Sequence, residues 1–412
     1  MKAGWMIKPL GEVCEFQRGL TYAKSDEVDV SNNVILRATN IDLSTNLLDL
    51  RELRYINDAV TVPASKKVKK NSLLICTASG SKSHLGKVAY IDDDYDFAFG
   101  GFMGMLTPSE ILLPRYFFHL MTSGVYKDFI ATLADGANIN NLKFFDLQRF
   151  AVPIPALAEQ HRIVAILDGA FDGIATAKAN AERNLQNAQE LVGIGFHSIT
   201  ENLGRTQWPI RQVAALKASH KGAMRTGPFG SQLLHTEFVD DGIAVLGIDN
   251  AVANEFRWDR RRYITKEKYE QMARYRVFPG DVLITIMGTC GRCAVVPENI
   301  PLAINTKHLC CITLNRQACL PEYLHIYFLH DRTARDYLSA QAKGSIMAGL
   351  NMGIISELPV RLPSIEIQAK IVDQFDAYRS ECERLESTQR QKLIALDNLK
   401  KSLLHQAFTG QL

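Results

Sequence analysis

Four cysteines in the second half of the chain have a spacing close to that of a zinc site. Cys290 and Cys293 form a C-x-x-C pair, and Cys310 and Cys311 follow as an adjacent pair. Four cysteine thiolates around one ion make a common structural zinc site. Adjacent residues of a strand point to opposite faces, however, so Cys310 and Cys311 would not easily reach the same ion. We therefore favour buried thiols over a metal site.

The segment Gly80–Val88 resembles a phosphate-binding loop. That pattern needs four residues between its glycines and a hydroxyl residue after its lysine, whereas here five residues separate Gly80 from Gly86, and Val88 follows the lysine. A nucleotide site is therefore not expected. The loop is instead a candidate to hold DNA phosphates or base edges, and an ordinary solvated turn is the alternative. The candidate residues are Ser81, Lys82 and Lys87 of this segment and Ser79, which precedes it.

Basic residues cluster at similar positions in the two halves of the chain, close to Tyr55 and Tyr263. Such clusters can neutralise phosphates, and each contact steepens the slope of log affinity against log salt by about 0.9. Arginines can also pair with guanine edges. A solvated charged surface is the alternative and stays open. The clusters are Lys66, Lys67, Lys69 and Lys70, and Arg257, Arg260, Arg261 and Arg262.

Asparagines are the other candidates for reading bases, because an asparagine amide can bind adenine through two hydrogen bonds. Asn40 and Asn250 follow predicted strands in matched positions. Asn138, Asn140 and Asn141 share one loop, where the alternative role is turn formation. The candidate set for DNA contact is completed by Lys143, Arg292 and Ser345.

Sequence signatures of catalysis are missing. Amino-methyltransferases of the adenine type carry an Asp/Asn/Ser-Pro-Pro-aromatic motif, and this chain contains no Pro-Pro dipeptide. It also has neither the His-Glu-x-x-His pattern of metalloproteases nor the Gly-x-Ser-x-Gly turn of hydrolases. We expect a non-catalytic protein without a cofactor of its own.

The elements that carry these residues occur twice. The segment VPIPALAEQHRIVAILD, which ends at Asp168, is echoed by VRLPSIEIQAKIVDQFD, which ends at Asp376, an offset of 376 − 168 = 208. LPRYFFHL from Leu113 is likewise echoed by LPEYLHIY from Leu320. Repeats this long indicate two homologous domains and not a solenoid, whose units run about 20–50 residues. The first repeat has leucine and valine where the second has its C-x-x-C pair, which also disfavours zinc.

Each repeat begins with short apolar runs punctuated by glycine, asparagine and aspartate, a pattern typical of strands and turns. One helix is predicted after a proline in each repeat, from Pro114 and from Pro321. The fold class is therefore α+β, with a long helix after each repeat. The predicted strands include Val34–Arg37, Leu73–Cys76 and Val88–Ile91, and Ala244–Ile248, Val282–Ile286 and Cys293–Val296. The predicted boundaries are 1–155 and 205–363 for the globular domains, and 156–204 and 364–412 for the helical regions.

The helical regions carry a seam in which spacings of three and four alternate. Bulky residues of the second region occupy the positions of small residues in the first, as knobs facing holes. We predict that the two helices pack on each other, and two amphipathic helices packed on their own domains are the alternative. The seam residues are Ile163, Leu167, Ile174, Leu191, Ile371, Phe375, Leu385, Leu396, Leu399 and Leu403.

Chain order predicts the relative direction of the helices. The first runs from near Pro155 to about Asn202, and the second domain begins at Trp208. The second helix starts near Pro363 and can pack on the first only by running back. The prediction is an antiparallel coiled coil with pseudo two-fold symmetry, about forty residues or roughly 60 Å long. Such a spacer suits a reader of two DNA half-sites, and equally a scaffold for two protein partners.

The bulk properties fit an intracellular protein. With 412 residues and 47% hydrophobic content the chain can bury two cores, and a formal net charge of +3 is too small to indicate an anionic partner. The N-terminus lacks the apolar stretch of a secretory signal, and no apolar run is long enough to span a bilayer. The irregular spacing of the eight cysteines favours reduced thiols. A cytoplasmic location is expected.

The junctions and the C-terminus carry a resemblance to a known family. PIPALAEQHRIVAILD, RLPSIEIQAKIVDQFD and LKKSLLHQAFTGQL resemble the conserved regions of specificity subunits of type I restriction-modification systems. The most specific stretch is GANINNLKFFDLQRFAVPIPALAEQ, and the similarity covers the whole chain. The second junction departs from the first where Ile367 replaces Glu159, while its apolar seam is intact.

The resemblance implies that each globular domain is a target-recognition domain for one half of a split DNA target, while the paired helices fix the unread gap. It also implies that two methyltransferase subunits dock along the helices and methylate adenine at N6, and that motor-endonuclease subunits join the full complex. S-adenosylmethionine, ATP and Mg²⁺ are then expected on the partner subunits. From the residues alone, a two-headed protein adaptor without DNA specificity is the alternative.

Overall fold

The computed structural model of the chain describes residues 4–79, 84–134, 141–258, 260–343 and 350–412. The chain divides into two compact units. The first unit comprises Met1–Glu182 and Arg390–Leu412, and the second comprises Arg183–Gln389. Each unit therefore contains one globular domain and a part of each long helix.

The described part of the first unit is built from two four-stranded sheets, a two-stranded sheet and flanking helices. Its strands are β1 (Met6–Pro9), β2 (Cys14–Arg18), β3 (Glu27–Val28), β4 (Asn33–Leu36), β5 (Arg54–Ile56), β6 (Leu73–Cys76), β7 (Val88–Tyr90), β8 (Phe97–Phe99), β9 (Met103–Pro108) and β10 (Ala151–Ile154). Its helices are α1 (Leu10–Val13), α2 (Pro114–Thr122), α3 (Gly124–Ala134), α4 (Phe144–Leu147) and the first part of α5 (Leu157–Asn202).

The described part of the second unit has the same composition of sheets. Its strands are β11 (Ile210–Gln212), β12 (Met224–Thr226), β13 (Ile243–Leu246), β14 (Tyr263–Ile264), β15 (Arg276–Val277), β16 (Val282–Thr285), β17 (Cys293–Val295), β18 (Ala303–Asn305), β19 (Leu309–Ile312) and β20 (Pro359–Arg361). Its helices are α6 (Lys266–Met272), α7 (Pro321–His330), α8 (Arg332–Lys343), α9 (Met352–Glu357) and the first part of α10 (Ile365–Thr409).

The predicted elements are found close to their predicted positions. Six strands begin within one residue of the predicted start. They are β4, β6, β7, β13, β16 and β17. The helices α2 and α7 begin at Pro114 and Pro321, where a proline costs no intrahelical hydrogen bond. The α+β class and the two long helices are thereby confirmed.

The two units share most of their strand order. One larger sheet runs β2-β9-β6-β7 in the first unit and β12-β19-β16-β17 in the second. The other runs β3-β5-β4-β8 and β14-β13-β18-β15, so three strands correspond and the fourth lies at opposite edges, β3 beside β5 and β15 beside β18. In both units one strand pair is parallel: Val34 of β4 lies opposite Phe97 of β8, and Ala244 of β13 lies opposite Ala303 of β18. Because parallel strands end at the same edge of a sheet, the loops after β4 and β8 lie side by side, as do those after β13 and β18.

In each unit a globular domain and the long helices share one apolar core. In the first unit the ring of Tyr116 in α2 lies 5.3 Å from that of Phe408 in α10, and Ile163 of α5 joins the same cluster. In the second unit Phe196 of α5 lies 5.8 Å from Phe375 of α10, beside α7. Burial of large side chains of this kind stabilises each by about 1.5–3 kcal/mol, so each domain is firmly attached to its helices.

Within each unit α5 and α10 pack antiparallel. As the residue number rises along α5, the number of its partner on α10 falls. The contacts are Arg162 with Leu412, just after α10, and Lys178 with Asp397 in the first unit, and Gly195 with Tyr378 and Phe196 with Phe375 in the second.

Among the described residues, no helix combines the length and the apolar composition of a membrane span.

The seam of α10 departs from the predicted register in its later part. Ile371 and Phe375 are buried, but Leu385 and Leu399 are 39% and 48% exposed, so their assignment to the seam was wrong. The inward positions recur in steps of eleven residues, at Ile371, Cys382, Leu393 and Leu404. Eleven residues in three turns stay in phase with a nearly straight helix, whereas seven-residue steps drift around it.

The other predicted seam residues face inward to different degrees. Ile163, Leu167 and Ile174 of α5 are buried. Three more are half-buried, namely Leu191, Leu396 and Leu403.

Candidate nucleic-acid interface

Polar side chains collect at the carboxyl edge of the parallel strand pair in the second unit. The segment Gly247–Asn250 follows β13, and the segment Thr306–His308 follows β18. Beside them lies a cleft of about 620 Å³. The charged or titratable residues that line it include Asp249, Arg260, Arg262, Lys307 and His308.

An ion pair lies in this cleft. Arg262 pairs with Asp249, and their side chains are 22% and 28% exposed. Gly247 leaves room for the pair, because a Cβ at this position would lie 2.4 Å from Arg262 Nη2. In the described part of the chain, Asp249 Oδ2, Arg262 Nε and Thr306 Oγ1 are buried without a hydrogen-bond partner. Buried polar groups are normally paired, so the cleft has hydrogen-bonding capacity that the protein itself does not use.

His308 adds a neutral donor and acceptor to the cleft. Burial, together with the positive charges of Lys307 and Arg262, lowers the pKa of His308 below its ordinary value of 6.5. The imidazole is therefore uncharged at pH 7, where one ring nitrogen donates and the other accepts.

The first unit has the same edge with different side chains. Arg54 occupies the position that Arg262 has in the second unit. In each unit this arginine comes one residue before a tyrosine, Tyr55 or Tyr263, which lies opposite a residue of β4 or β13. In the loop after β8, Phe102 takes the place of His308, and its side chain is 74% exposed. An exposed aromatic ring at a loop tip is suited to stacking on a base or to entering a base step. This unit thus presents a projecting ring where the second unit has an imidazole in a cleft.

Other loops of the first unit meet at this edge. The main-chain N–H and the hydroxyl of Thr77 both donate to the carbonyl oxygen of Phe102, each at 2.9 Å. The next residue, Ala78, forms a β-bridge with Asn141. The predicted contact residues in these loops are Ser79, which is half-buried, and Asn141 and Lys143, which are exposed.

The matched asparagines Asn40 and Asn250 are buried, at 2% and 0% exposure. The Asn40 amide accepts a hydrogen bond from the Arg37 N–H and donates to two main-chain carbonyls, all at 2.9 Å. The Asn250 amide accepts from the Gly247 N–H at 2.9 Å and donates to a main-chain carbonyl at 2.7 Å. Their hydrogen-bonding groups hold the loop after the strand, which corrects the expectation that they contact bases.

The lysine cluster of the first unit is largely neutralised by the acidic run after β7. Lys67 pairs with Asp96, and Lys70 Nζ lies 3.5 Å from Asp93. Because this ion pair is exposed and therefore weak, the expectation that Lys67 contacts phosphate stays a prediction. Lys69 is exposed.

The arginine cluster of the second unit divides in two. Arg257 pairs with Glu255, and the Arg261 guanidinium lies 5.9 Å from the ring centre of Trp258. Arg260 and Arg262 line the cleft. Only part of the predicted cluster is thus brought together with the other polar groups.

The remaining predicted contact residues are dispersed. Lys87 is half-buried, its Nζ lies 3.4 Å from the carbonyl oxygen of Ile41, and burial lowers its pKa. Arg292 is exposed. The residues Ser81, Lys82, Asn138, Asn140 and Ser345 lie outside the described part of the chain.

The cysteines of the second unit are packed as apolar residues. Cys293 and Cys310 belong to one core cluster, and Cys311 belongs to the cluster on the other face of the sheet. Burial raises the pKa of Cys310 to about 12, so its thiol is protonated. The described residues contain no group of three or more metal-binding side chains.

Two buried glutamines that the sequence analysis did not single out join the domains to the helices. Gln160 accepts a hydrogen bond from the Leu113 N–H at 2.8 Å and donates to the carbonyls of Ile111 and Pro155, both at 2.9 Å. Gln368 does the same with Leu320 at 2.9 Å, Ala318 at 3.0 Å and Pro363 at 2.9 Å. We call each such arrangement a glutamine clamp. The signal was present in the sequence, because the two residues are identical at the 208-residue offset.

The sequence analysis also missed Phe102, Asp249, Lys307 and His308. Each follows a short apolar run, but so do many loop residues, and no spacing links them along the chain. The register of the parallel strands places Asp249, Lys307 and His308 at one edge of the second unit, and Phe102 at the matching edge of the first.

Comparison with known proteins shows a family likeness over most of the chain. The family model described as a type I restriction modification DNA specificity domain matches residues 2–184 and 243–395. The specificity subunit of the type I restriction enzyme EcoKI from Escherichia coli K12 is 26% identical over 99% of this chain and 89% of its own length. The StySPI specificity subunit from Salmonella potsdam is 27% identical with the same coverage.

Solved structures show the same fold. One, described as the basis of complex assembly and conformational transition of a type I R-M system, matches all of this chain and 99% of its own with a TM-score of 0.77 and 17% identity. The HsdS subunit from Thermoanaerobacter tengcongensis matches all of this chain and 98% of its own with a TM-score of 0.64 and 17% identity.

Proposed function

The chain belongs to the family of type I restriction-modification DNA specificity subunits, and we propose that each of its two globular domains reads one half of a bipartite, gapped DNA target. The family assignment makes it a DNA-recognition subunit without catalytic activity. It also decides against the two-headed adaptor without DNA specificity.

The observation that carries the proposal is a repeated edge with unlike side chains. The parallel pairs β4–β8 and β13–β18 have corresponding registers. Both glutamine clamps attach their domains to the long helices in the same way. The side chains at the edge differ, with Phe102 in one unit and His308 in the other. A conserved frame with different contact residues is what two different half-sequences require, since base edges are told apart by side-chain chemistry.

The long helices set the unread gap and dock two methyltransferase subunits in this proposal. Exposed apolar side chains on both helices support the docking, for example Ile194 of α5 at 59% exposure and Ile394 of α10 at 62%. Exposed apolar groups of this size commonly mark contact surfaces. Motor-endonuclease subunits then join the complex in the cytoplasm, and S-adenosylmethionine, ATP and Mg²⁺ are used by the partners.

The contact set proposed for DNA keeps the exposed or cleft-lining candidates. These are Lys69, Asn141, Lys143, Arg260 and Arg292, with Lys67, Ser79, Ser81, Lys82, Lys87, Asn138, Asn140, Arg257, Arg261 and Ser345 still as sequence-based candidates.

Mapping of N6-methyladenine in cells that contain this chain and its methyltransferase partner tests the proposed function. We expect methylation at a single split motif with a fixed gap. Titration of target duplex into the assembled complex should show sequence-dependent binding that weakens as salt rises. Equal affinity for target and scrambled duplexes would contradict the proposal.

A further inference from the structure

We propose that the cleft of the second unit receives the base-pair edges of one half-target, with Asp249, Arg262 and His308 as its specificity-determining residues. This inference rests on the proposed function, because it assigns base reading to one place within the second domain. The cleft lies wholly within the second unit.

The charges of the cleft favour base edges over phosphate at its inner wall. Asp249 would repel a phosphate, but its carboxylate can accept a hydrogen bond from an exocyclic amino group, as carboxylates do with cytosine N4. Arg262 beside it can donate to the O6 and N7 atoms of guanine. Acceptor and donor side by side match the major-groove edge of a G·C pair. Arg260 and Lys307 add the positive charge that the surrounding phosphates require.

The unused hydrogen-bonding capacity points the same way. Asp249 Oδ2, Arg262 Nε and Thr306 Oγ1 lack partners within the described residues, although they lie at the cleft. An ion pair that serves stability alone would be expected to satisfy its remaining atoms inside the protein. Because these atoms are enclosed, bases or bridging waters supply the missing partners only when the Asp249–Arg262 pair opens as DNA binds.

Gly247 shows that this arrangement is specific to the second unit. Its missing Cβ leaves the space that the Arg262 guanidinium fills. The matched position of the first unit is Arg37, which lies 3.5 Å from Glu27, and the position matched to Asp249 is Thr39. The first unit therefore cannot build the same pair, and we expect its half-target to be read by other means.

The test uses the full chain assembled with its methyltransferase subunits and two sets of duplexes, each with substitutions in one half-target only. Asp249→Asn and Arg262→Lys should each reduce discrimination in the half-target read by the second unit by roughly five- to a hundredfold. Discrimination in the other half-target should be unchanged. Arg316→Lys is the matched control, because Arg316 is also paired with a carboxylate of the second unit, Glu298, and does not line the cleft.

Gly247→Ala keeps every charge and should displace the Arg262 guanidinium, so it should reduce discrimination in the same half-target. His308→Gln provides a variant at the rim if a change to the ion pair impairs folding, which thermal unfolding monitors. Wild-type discrimination by the folded cleft variants, or a half-target without a G·C pair, would overturn the inference while leaving the proposed function intact. Absence of sequence-dependent binding by the wild-type complex would instead overturn the proposed function.

Discussion

At the scale of single residues, the buried polar side chains that are identical in the two repeats have structural roles. Asn40 and Asn250 are identical, buried and hydrogen-bonded to the main chain in the same way. The same holds for Gln160 and Gln368. A polar side chain that is buried must keep its partners, since an unpaired buried group costs about 1–3 kcal/mol. Most residues at the recognition edge differ between the repeats, and the matched arginines Arg54 and Arg262 are an exception.

Asp168 is a matched position whose two copies have different surroundings. Its carboxylate lies 2.6 Å from Arg115 Nη2 and 2.7 Å from Nε2 of the buried His119. Partial burial acts to raise the pKa of Asp168, but the hydrogen bonds from His119 and Arg115 outweigh it and hold the pKa at about 2. Asp376, its counterpart, is 51% exposed and lies 3.3 Å from Arg379.

We predict that Asp168→Asn lowers the free energy of unfolding at pH 7 by about 1 kcal/mol, a value reduced for partial solvent screening. Because the folded pKa is depressed, this stabilisation is present above the ordinary carboxyl pKa of about 4 and is lost as the pH falls towards 2. The difference between wild type and variant in chemical denaturation should shrink accordingly at low pH. Asp376→Asn is the control, and it should lower the free energy of unfolding by less than about half of that amount. An equal loss in both variants would contradict the assignment.

At the scale of elements, the two long helices pack closely at one identifiable point in the second unit. A Cβ on Gly195 of α5 would lie 2.1 Å from the ring of Tyr378 in α10. Gly193, two residues earlier on the same helix, has no atom within 4 Å of the corresponding position. The contact with Tyr378 therefore leaves no room for a side chain at Gly195, whereas a side chain at Gly193 would meet no other atom.

Gly195→Ala should destabilise the second unit by about 1–3 kcal/mol, because the methyl group forces the Tyr378 ring or the helices apart. Gly193→Ala should instead stabilise by up to about 1 kcal/mol through helix propensity. Thermal unfolding of the full chain measures both. Stabilisation by both substitutions would show that α5 and α10 do not approach closely at Gly195.

At the scale of the whole molecule, the chain is one domain plan used twice and joined by continuous helices. The boundary between the two units falls inside α5, after Glu182, and inside α10, after Gln389. Both helices thus take part in both units, which is the basis for expecting them to govern spacing.

Insertion of one heptad into α5 after Glu182 and one into α10 after Gln389 should lengthen the unread gap and leave both half-sequences unchanged. Seven residues add about 10 Å of helix, equivalent to about three base pairs. Methylome sequencing of cells with the altered chain would report the new motif. An unchanged gap would contradict the role of the helices, and altered half-sequences would show that the insertion had disturbed the domains.

The sequence predicts the duplication, the α+β class, the starts of six of the strands and the two long helices. These depend on local patterns, such as apolar period, proline at a helix start and the 208-residue offset, all of which are visible along the chain. It did not determine the register of α10 beyond its first turns, because seven- and eleven-residue steps diverge only gradually. That left Leu385 and Leu399 on the wrong face.

Which polar residues meet depends on how the chain folds back on itself. Asp249 and His308 are 308 − 249 = 59 positions apart, and the parallel register of β13 and β18 brings their loops to one cleft. The same structure turned Asn40 and Asn250 inward and gave Lys67 an acidic partner. Each outcome depends on which residues become neighbours across the sheet and how much water they lose. Neither quantity is encoded in the type of a residue or in its distance from the next one along the chain.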